Sequence, residues 1–339
     1  MLRKSIAFVL FSGALAMAGP VAAAHRHAAP PAGINQTVLQ EQVLLDRAGF
    51  SPGAIDGRGG DNTDKALFAF EQINGLPAGP PSQAVWARLL QVPGGPILAR
   101  YTIQPQDVQG PFVPRIPDQY AEMARLPRLF YRTPQQELSE RFHMSEQLLA
   151  ELNPGTNFAQ PGTPITVANV GGTDPEAVAQ SGRHGPDAGD AAGRSGSSGG
   201  ENAAARVVVD KRHADVLVFG SGNRLLAFFP ATIGSVAQPA PSGTFRVETI
   251  VRNPTYTYRP SLHFTRQNAQ KPVTVPPGPN NPVGLVWIGL SAKGYGIHGT
   301  PDPTKVGKSF SHGCIHLTNW DMLLLARMVQ KGTPVDFVG

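Results

Sequence analysis

One cysteine, Cys314, stands in a chain of 339 residues. A single thiol closes no disulfide within the chain, so the fold rests on its hydrophobic cores, and Cys314 is left as an intermolecular bridge, a buried inert side chain or a reactive thiol. Long apolar runs are also missing. The longest, over 6–17, falls well short of the roughly 20 residues that span a bilayer, so an integral membrane protein is not expected. No cysteine lies near 22–24, where a lipid-modified thiol would have to sit. Motifs that stack on bases or read a groove are absent, and nucleic acid is excluded as a partner with them. There is no helical His-Glu-x-x-His pair for a catalytic zinc, and nothing in the chain requires a cofactor or a metal.

What is present begins with Arg3 and Lys4, then the apolar stretch, then Ala22-Ala23-Ala24. This reads as a secretory signal peptide over 1–24, which predicts export to the periplasm or cell wall. Roughly 315 residues remain, too many for one ordinary core. The clearest boundary is 171–205, rich in Gly and Ser and nearly free of large apolar side chains. Such a segment cannot bury enough surface to offset its ordering entropy, so a flexible linker is expected, with independent motion on either side. From Arg206 onward 14 Lys and Arg face 6 Asp and Glu, a net +8; subtracting this and Arg3 and Lys4 from the whole-chain +5 leaves −5 for the rest. A basic C-terminal domain suits an acidic or polyanionic partner.

Over 34–91 apolar residues recur at helical spacing in three segments, 38–45, 63–73 and 82–90. Gly49-Phe50, Asp56-Gly57, Thr63 and Gly75-Leu76 punctuate them. This pattern resembles the three-helix peptidoglycan-binding domain. A second module, 125–170, carries short helices over 138–142 and 145–152, then Asn153-Pro154-Gly155 and a strand over 162–167. It looks like a LysM glycan-binding module of βααβ order, with its first strand expected over 129–132. The proline-rich stretch 90–128 reads as an extended connector.

From 206 the pattern turns to short β-rich runs at 206–209, 214–219, 225–230, 244–251 and 283–290, with one helix at 319–329. These predict a mainly β domain, a sandwich or open barrel, with the helix packed on the sheet. In this domain Cys314 lies in Ser311-His312-Gly313-Cys314-Ile315-His316, with His298 upstream in Ile297-His298-Gly299-Thr300. The thiolate is the reactive form of cysteine, and an imidazole can take its proton or stabilise the anion as an ion pair. With Pro241-Ser242-Gly243-Thr244-Phe245 and Asn253-Pro254-Thr255-Tyr256 in the same order, 206–339 resembles an L,D-transpeptidase catalytic domain of the YkuD type. The whole chain is then multidomain, a three-helix module and a LysM-like module ahead of a YkuD-type sandwich.

The resemblance implies acyl transfer on peptidoglycan stem peptides: Cys314 attacks the carbonyl of the third residue, expels the terminal D-alanine and passes the acyl group to an amine. His298 is the expected base, and the N–H groups of Gly313 and Cys314 the expected oxyanion donors. Ser311 is read as a loop support, and His312 as a loop support or part of the acceptor channel, with the base role as its alternative. Tyr256, Tyr258 and Trp287 are candidates for the substrate cleft. Relatives often carry arginine two residues after the cysteine; here His316 stands there, a titratable group for the substrate carboxylate. The acceptor is left open between a second stem peptide, an outer-membrane lipoprotein lysine and water, the last giving an L,D-carboxypeptidase. Two readings come from other classes: a zinc site on His298, His312, Cys314 and His316, and a non-catalytic wall-binding protein.

Overall fold

Asn35 opens the first helix by accepting the N–H groups of Thr37 and Val38 on its side-chain oxygen, which satisfies donors a helix start leaves unpaired. Three helices follow, α1 (Gln36–Arg47), α2 (Asp61–Ile73) and α3 (Gln83–Leu89), where the periodicity puts them. The computed structural model describes residues 33–171, 203–235, 238–260, 271–311 and 313–339. The leader 1–24, nearly all of 171–205 and His312 lie outside them.

The second module departs from expectation at its first strand. β1 is Leu98–Thr102, not 129–132, and pairs antiparallel with β2, Pro164–Ala168, from Leu98↔Ala168 to Thr102↔Pro164. The stretch 90–128 is therefore no plain connector; besides β1 it holds two short helices, α4 (Pro105–Val108) and α5 (Tyr120–Met123). Between them and β2 come α6 (Pro134–Arg141) and α7 (Glu146–Leu152). Tyr101, Ile103, Leu138, Phe142, Leu148, Ile165 and Val167 bury together with Leu39 and Val43 of α1, so the first two modules share one core. Long-range burial selected β1, because alternation in Leu-Ala-Arg-Tyr-Thr is too weak a local signal.

The C-terminal domain is mainly β, as its alternation predicts. Its strands are β3 (Arg206–Asp210), β4 (Asp215–Phe219), β5 (Leu225–Pro230), β6 (Ile233–Gly234), β7 (Gly243–Arg252), β8 (Tyr256–Tyr258), β9 (Val273–Val275), β10 (Val286–Leu290), β11 (Gly296–His298), β12 (Phe310–Ser311), β13 (Ile315–His316) and β14 (Pro334–Val338). Eight of them form one sheet in the order β13-β11-β10-β7-β14-β3-β4-β5. Thr232, just past β5, exchanges both backbone hydrogen bonds with His316 of β13, at 2.9 and 3.0 Å. The sheet therefore curls until its two ends meet, and valines of β3 and β4 join Ile288, Ile297 and Ile315 in one core. Helix α8 (Asn319–Met328), capped by Thr318, closes that core with Met322, Leu325 and Ala326.

The modules dock on this domain, contrary to the independent motion expected of a tethered pair. Phe228 of β5 exchanges backbone hydrogen bonds with Gly49 and Ser51 at 2.9 Å and is buried with Leu45, Phe50 and Phe70. Asn62 donates to the Val306 carbonyl at 2.9 Å, and His143 stacks on Trp320 at 5.2 Å and 8°. Leu129, expected in a strand of its own module, instead pairs with Pro277 and Asn280 of the C-terminal domain. Residues 206–339 alone are accordingly expected to melt several degrees below the full chain and to self-associate, since exposing an aromatic such as Phe228 costs about 2 kcal/mol. Thermal unfolding and gel filtration of the two proteins check this; equal midpoints would mean the docked face carries no stability.

Candidate active site

Three adjacent strands bring three rings into a row. Register pairs Trp287 of β10 with His298 of β11, and His298 with His316 of β13, so all three side chains stand on one face of the sheet. Trp287 and His298 stack at 5.4 Å and 16°, and the His298 and His316 rings are 4.3 Å apart. Gly296 makes the row possible, because a Cβ there would lie 2.6 Å from the indole. Cys314 stands in the bend that leads into β13, next to Gly296 of β11. Its sulfur accepts the Gly296 N–H.

The two titratable groups are both held neutral. His298 is 4% exposed, and its Nδ1 lies 2.7 Å from the Gly299 carbonyl. Only a protonated Nδ1 can make that bond, which leaves Nε2 as the acceptor. Burial pushes the imidazole down to about 4, against the opposing pull of the Gly299 carbonyl. Burial also pushes the Cys314 thiol up, opposed by the Gly296 N–H. At neutral pH the resting pair is therefore thiol and imidazole, not the thiolate–imidazolium pair that the sequence also permits. Among the described residues the hydrogen bonds include none between Cys314 and His298; such contacts often tighten only around substrate.

The turn before the cysteine is built by Ser311. Its buried hydroxyl donates to the Cys314 carbonyl and accepts the Gly313 N–H at 3.1 Å. Gly313 has φ +109°, a conformation other residues rarely adopt, and a Cβ would meet Tyr295 at 3.0 Å. The Gly313 N–H, expected as an oxyanion donor, is hydrogen-bonded to Ser311 within the loop in this structure.

The aromatic candidates separate. Trp287 backs the histidine. Tyr258 is 2% exposed and belongs to the interior. Tyr256 is half-buried, and its hydroxyl is pushed well up by burial and then by Tyr120 and Cys314 beside it. Tyr120 is the residue sequence reasoning missed. It comes from α5, packs at 5.4 Å on Tyr256 and 5.1 Å on Tyr258, and hydrogen-bonds Tyr256. Its only local signal was an aromatic among prolines. Beside it opens a cavity of about 950 Å³ between modules, lined among others by Arg58, Arg115, Tyr120, Arg132, Thr300 and His316. His316 thus touches both the catalytic row and this cavity. Among the described residues no three His, Cys, Asp or Glu are grouped to hold a metal ion; His312, one of the four residues of the zinc reading, lies outside them.

Comparison with known proteins gives matching families for two parts of the chain. Residues 204–337 match the L,D-transpeptidase catalytic domain (YkuD), and 35–89 match a putative peptidoglycan binding domain. The chain is 31% identical over 122 residues to the putative L,D-transpeptidase YkuD of Bacillus subtilis, covering 36% of this chain and 59% of that protein. It is 32% identical over 135 residues to the probable L,D-transpeptidase YbiS of Escherichia coli, covering 39% and 44%. With the putative L,D-transpeptidase YqjB of Bacillus subtilis the identity is 32% over 134 residues, covering 38% and 68%. The chain thus spans about half the length of YkuD and YbiS. No helix among the described residues is long and apolar enough to cross a membrane.

Proposed function

The chain belongs to the L,D-transpeptidase family, and from that premise we propose that it is an exported cysteine acyltransferase acting on peptidoglycan stem peptides. The observation that carries this reading is the single cysteine just before β13, whose partner strand β11 carries a buried histidine with Nδ1 committed to Gly299 and Nε2 left to accept a proton. In the proposed cycle Cys314 Sγ bonds to the carbonyl carbon of the third stem residue as His298 Nε2 takes the thiol proton. Because both groups start neutral, transfer accompanies attack rather than preceding it. The proton then goes to the departing D-alanine nitrogen, leaving a thioester. An incoming amine reverses the sequence and gives its own proton to His298. The Cys314 N–H is a backbone candidate for the oxyanion, while Ser311 holds the turn. Tyr256 and His316 flank the thiol on the substrate side, His316 meeting the donor carboxylate when protonated.

The signal-like leader supports export, and the first module supports peptidoglycan as partner. The antiparallel pair of β1 and β2, with α6 and α7 packed before β2, supports glycan contact by the second module. Water in place of the amine would give carboxypeptidase action, and a lipoprotein lysine would give wall anchoring. Incubating the purified protein with tetrapeptide muropeptides and weighing the products tests the reading. Released D-alanine together with dimers is expected; tripeptides alone would point to water as acceptor, and unchanged muropeptides would sink the reading.

A further inference from the structure

Among the described residues Glu71, Glu140, Glu151 and Asp215 each keep a buried carboxylate oxygen without a hydrogen-bond partner, and of these Glu140 bonds to α8. Glu140, on α6 of the second module, is 6% exposed. Its Oε2 accepts Asn319 Nδ2 at 3.0 Å and the Tyr131 hydroxyl at 3.4 Å. Its Oε1 is buried without a hydrogen-bond partner among the described residues. An unsatisfied buried acceptor is destabilising, and departures of this kind concentrate where function requires them. Burial pushes the carboxyl up to about 8, against the hydrogen bonds from Asn319 and Tyr131 and helped by Glu146 and Glu137. At neutral pH the group is mainly the uncharged acid.

The contact leads to the histidine through Asn319. Its Oδ1 accepts the Leu285 N–H at 3.0 Å. The same oxygen is wedged against two glycines: a Cβ at Gly284 would lie 2.2 Å from it, and one at Gly299 2.4 Å. The Gly299 carbonyl in turn holds His298 Nδ1 at 2.7 Å. An amide can sit either way round, but reversed it would set NH₂ against the Leu285 N–H, donor against donor. By accepting from Nδ2, together with the Pro279 carbonyl at 3.2 Å, Glu140 helps hold the orientation that seats Oδ1 against Leu285 and Gly299. We propose that Glu140 is a positioning residue for His298, so that a residue of the second module orients the base of the catalytic domain. This rests on the reading of His298 as the partner of the thiol.

The lone cysteine supplies a readout independent of turnover, since alkylation by iodoacetamide followed by intact mass reports Cys314 alone. Glu140→Ala is expected to slow alkylation about tenfold at neutral pH, because a small misplacement of a reacting group carries such a penalty. Glu140→Gln, whose amide oxygen accepts the same Asn319 hydrogen, should stay within about twofold of wild type. All three should converge at alkaline pH, where the thiol ionises unaided. Melting curves establish that the variants are folded; should Glu140→Ala unfold, Asn319→Ser removes the amide and is expected to show the same slowing. A wild-type pH profile in the folded Ala or Ser variant, or a Gln variant as slow as Ala, overturns the proposal. A chain that fails to release D-alanine yet shows this alkylation pattern would refute acyl transfer and leave the positioning role standing.

Discussion

Cys314→Ala is expected to abolish release of D-alanine while leaving the fold intact. The side chain is small and only partly buried, so removing it costs roughly 1 kcal/mol or less of stability. The reaction loses its nucleophile altogether, and with no other cysteine in the chain nothing substitutes. Cys314→Ser should be nearly as inactive, because the hydroxyl ionises far less readily and His298, held down to about 4 by its burial, is a weak base for it. D-alanine release and an acyl adduct by intact mass are the measurements. More than a few per cent of wild-type turnover in either variant would rule out the covalent route.

His298→Ala should lose nearly as much, and pH separates its role from that of a packing residue. In the wild type the base works only when neutral, so the acid limb of kcat/KM should fall near pH 4, where burial places this imidazole, and not near 6.5, the value of a free histidine. Stability changes over the same window. Between about 4 and 6.5 the unfolded chain binds a proton that the folded histidine refuses, so stability is lost as pH falls through that range. In His298→Ala this loss should be smaller. Relief of the variant at alkaline pH requires the thiol to ionise unaided, and because burial raises it above the ordinary range, relief should come above about pH 9 rather than at it. An acid limb near 6.5 in the wild type would assign the base to a more exposed group.

The parts of the site legible in the sequence were those set by short-range chemistry. Gly313 had to be glycine for the turn. The helices of the first module, the strand runs from 206 onward and α8 were written in their periodicity, which one face buried against a core imposes locally. The readings that failed were those that needed a distant partner. Strand β1 was hidden because its pairing with β2 joins segments on either side of four short helices. Tyr120 was hidden because nothing near it in sequence says that it meets Tyr256. The bond of Gly313 to Ser311 was equally illegible, because it depends on how the loop closes.

The sequence by itself determined which chemistry the chain carries: one thiol, a histidine a short way upstream, a glycine turn between them, and two small modules ahead of them. Tertiary structure decided the state and the company of those groups. Proton affinity depends on how much water is excluded, so only the curled sheet, with Trp287 and His316 on either side of His298, makes the resting pair neutral. Docking depends on faces formed from residues far apart in the chain, so only the folded molecule shows Phe50 on Phe228 and Glu140 on Asn319. The Gly/Ser segment says that the two sides can separate; the buried surface between them holds them together, because burial of apolar area outweighs the entropy that a flexible linker would release.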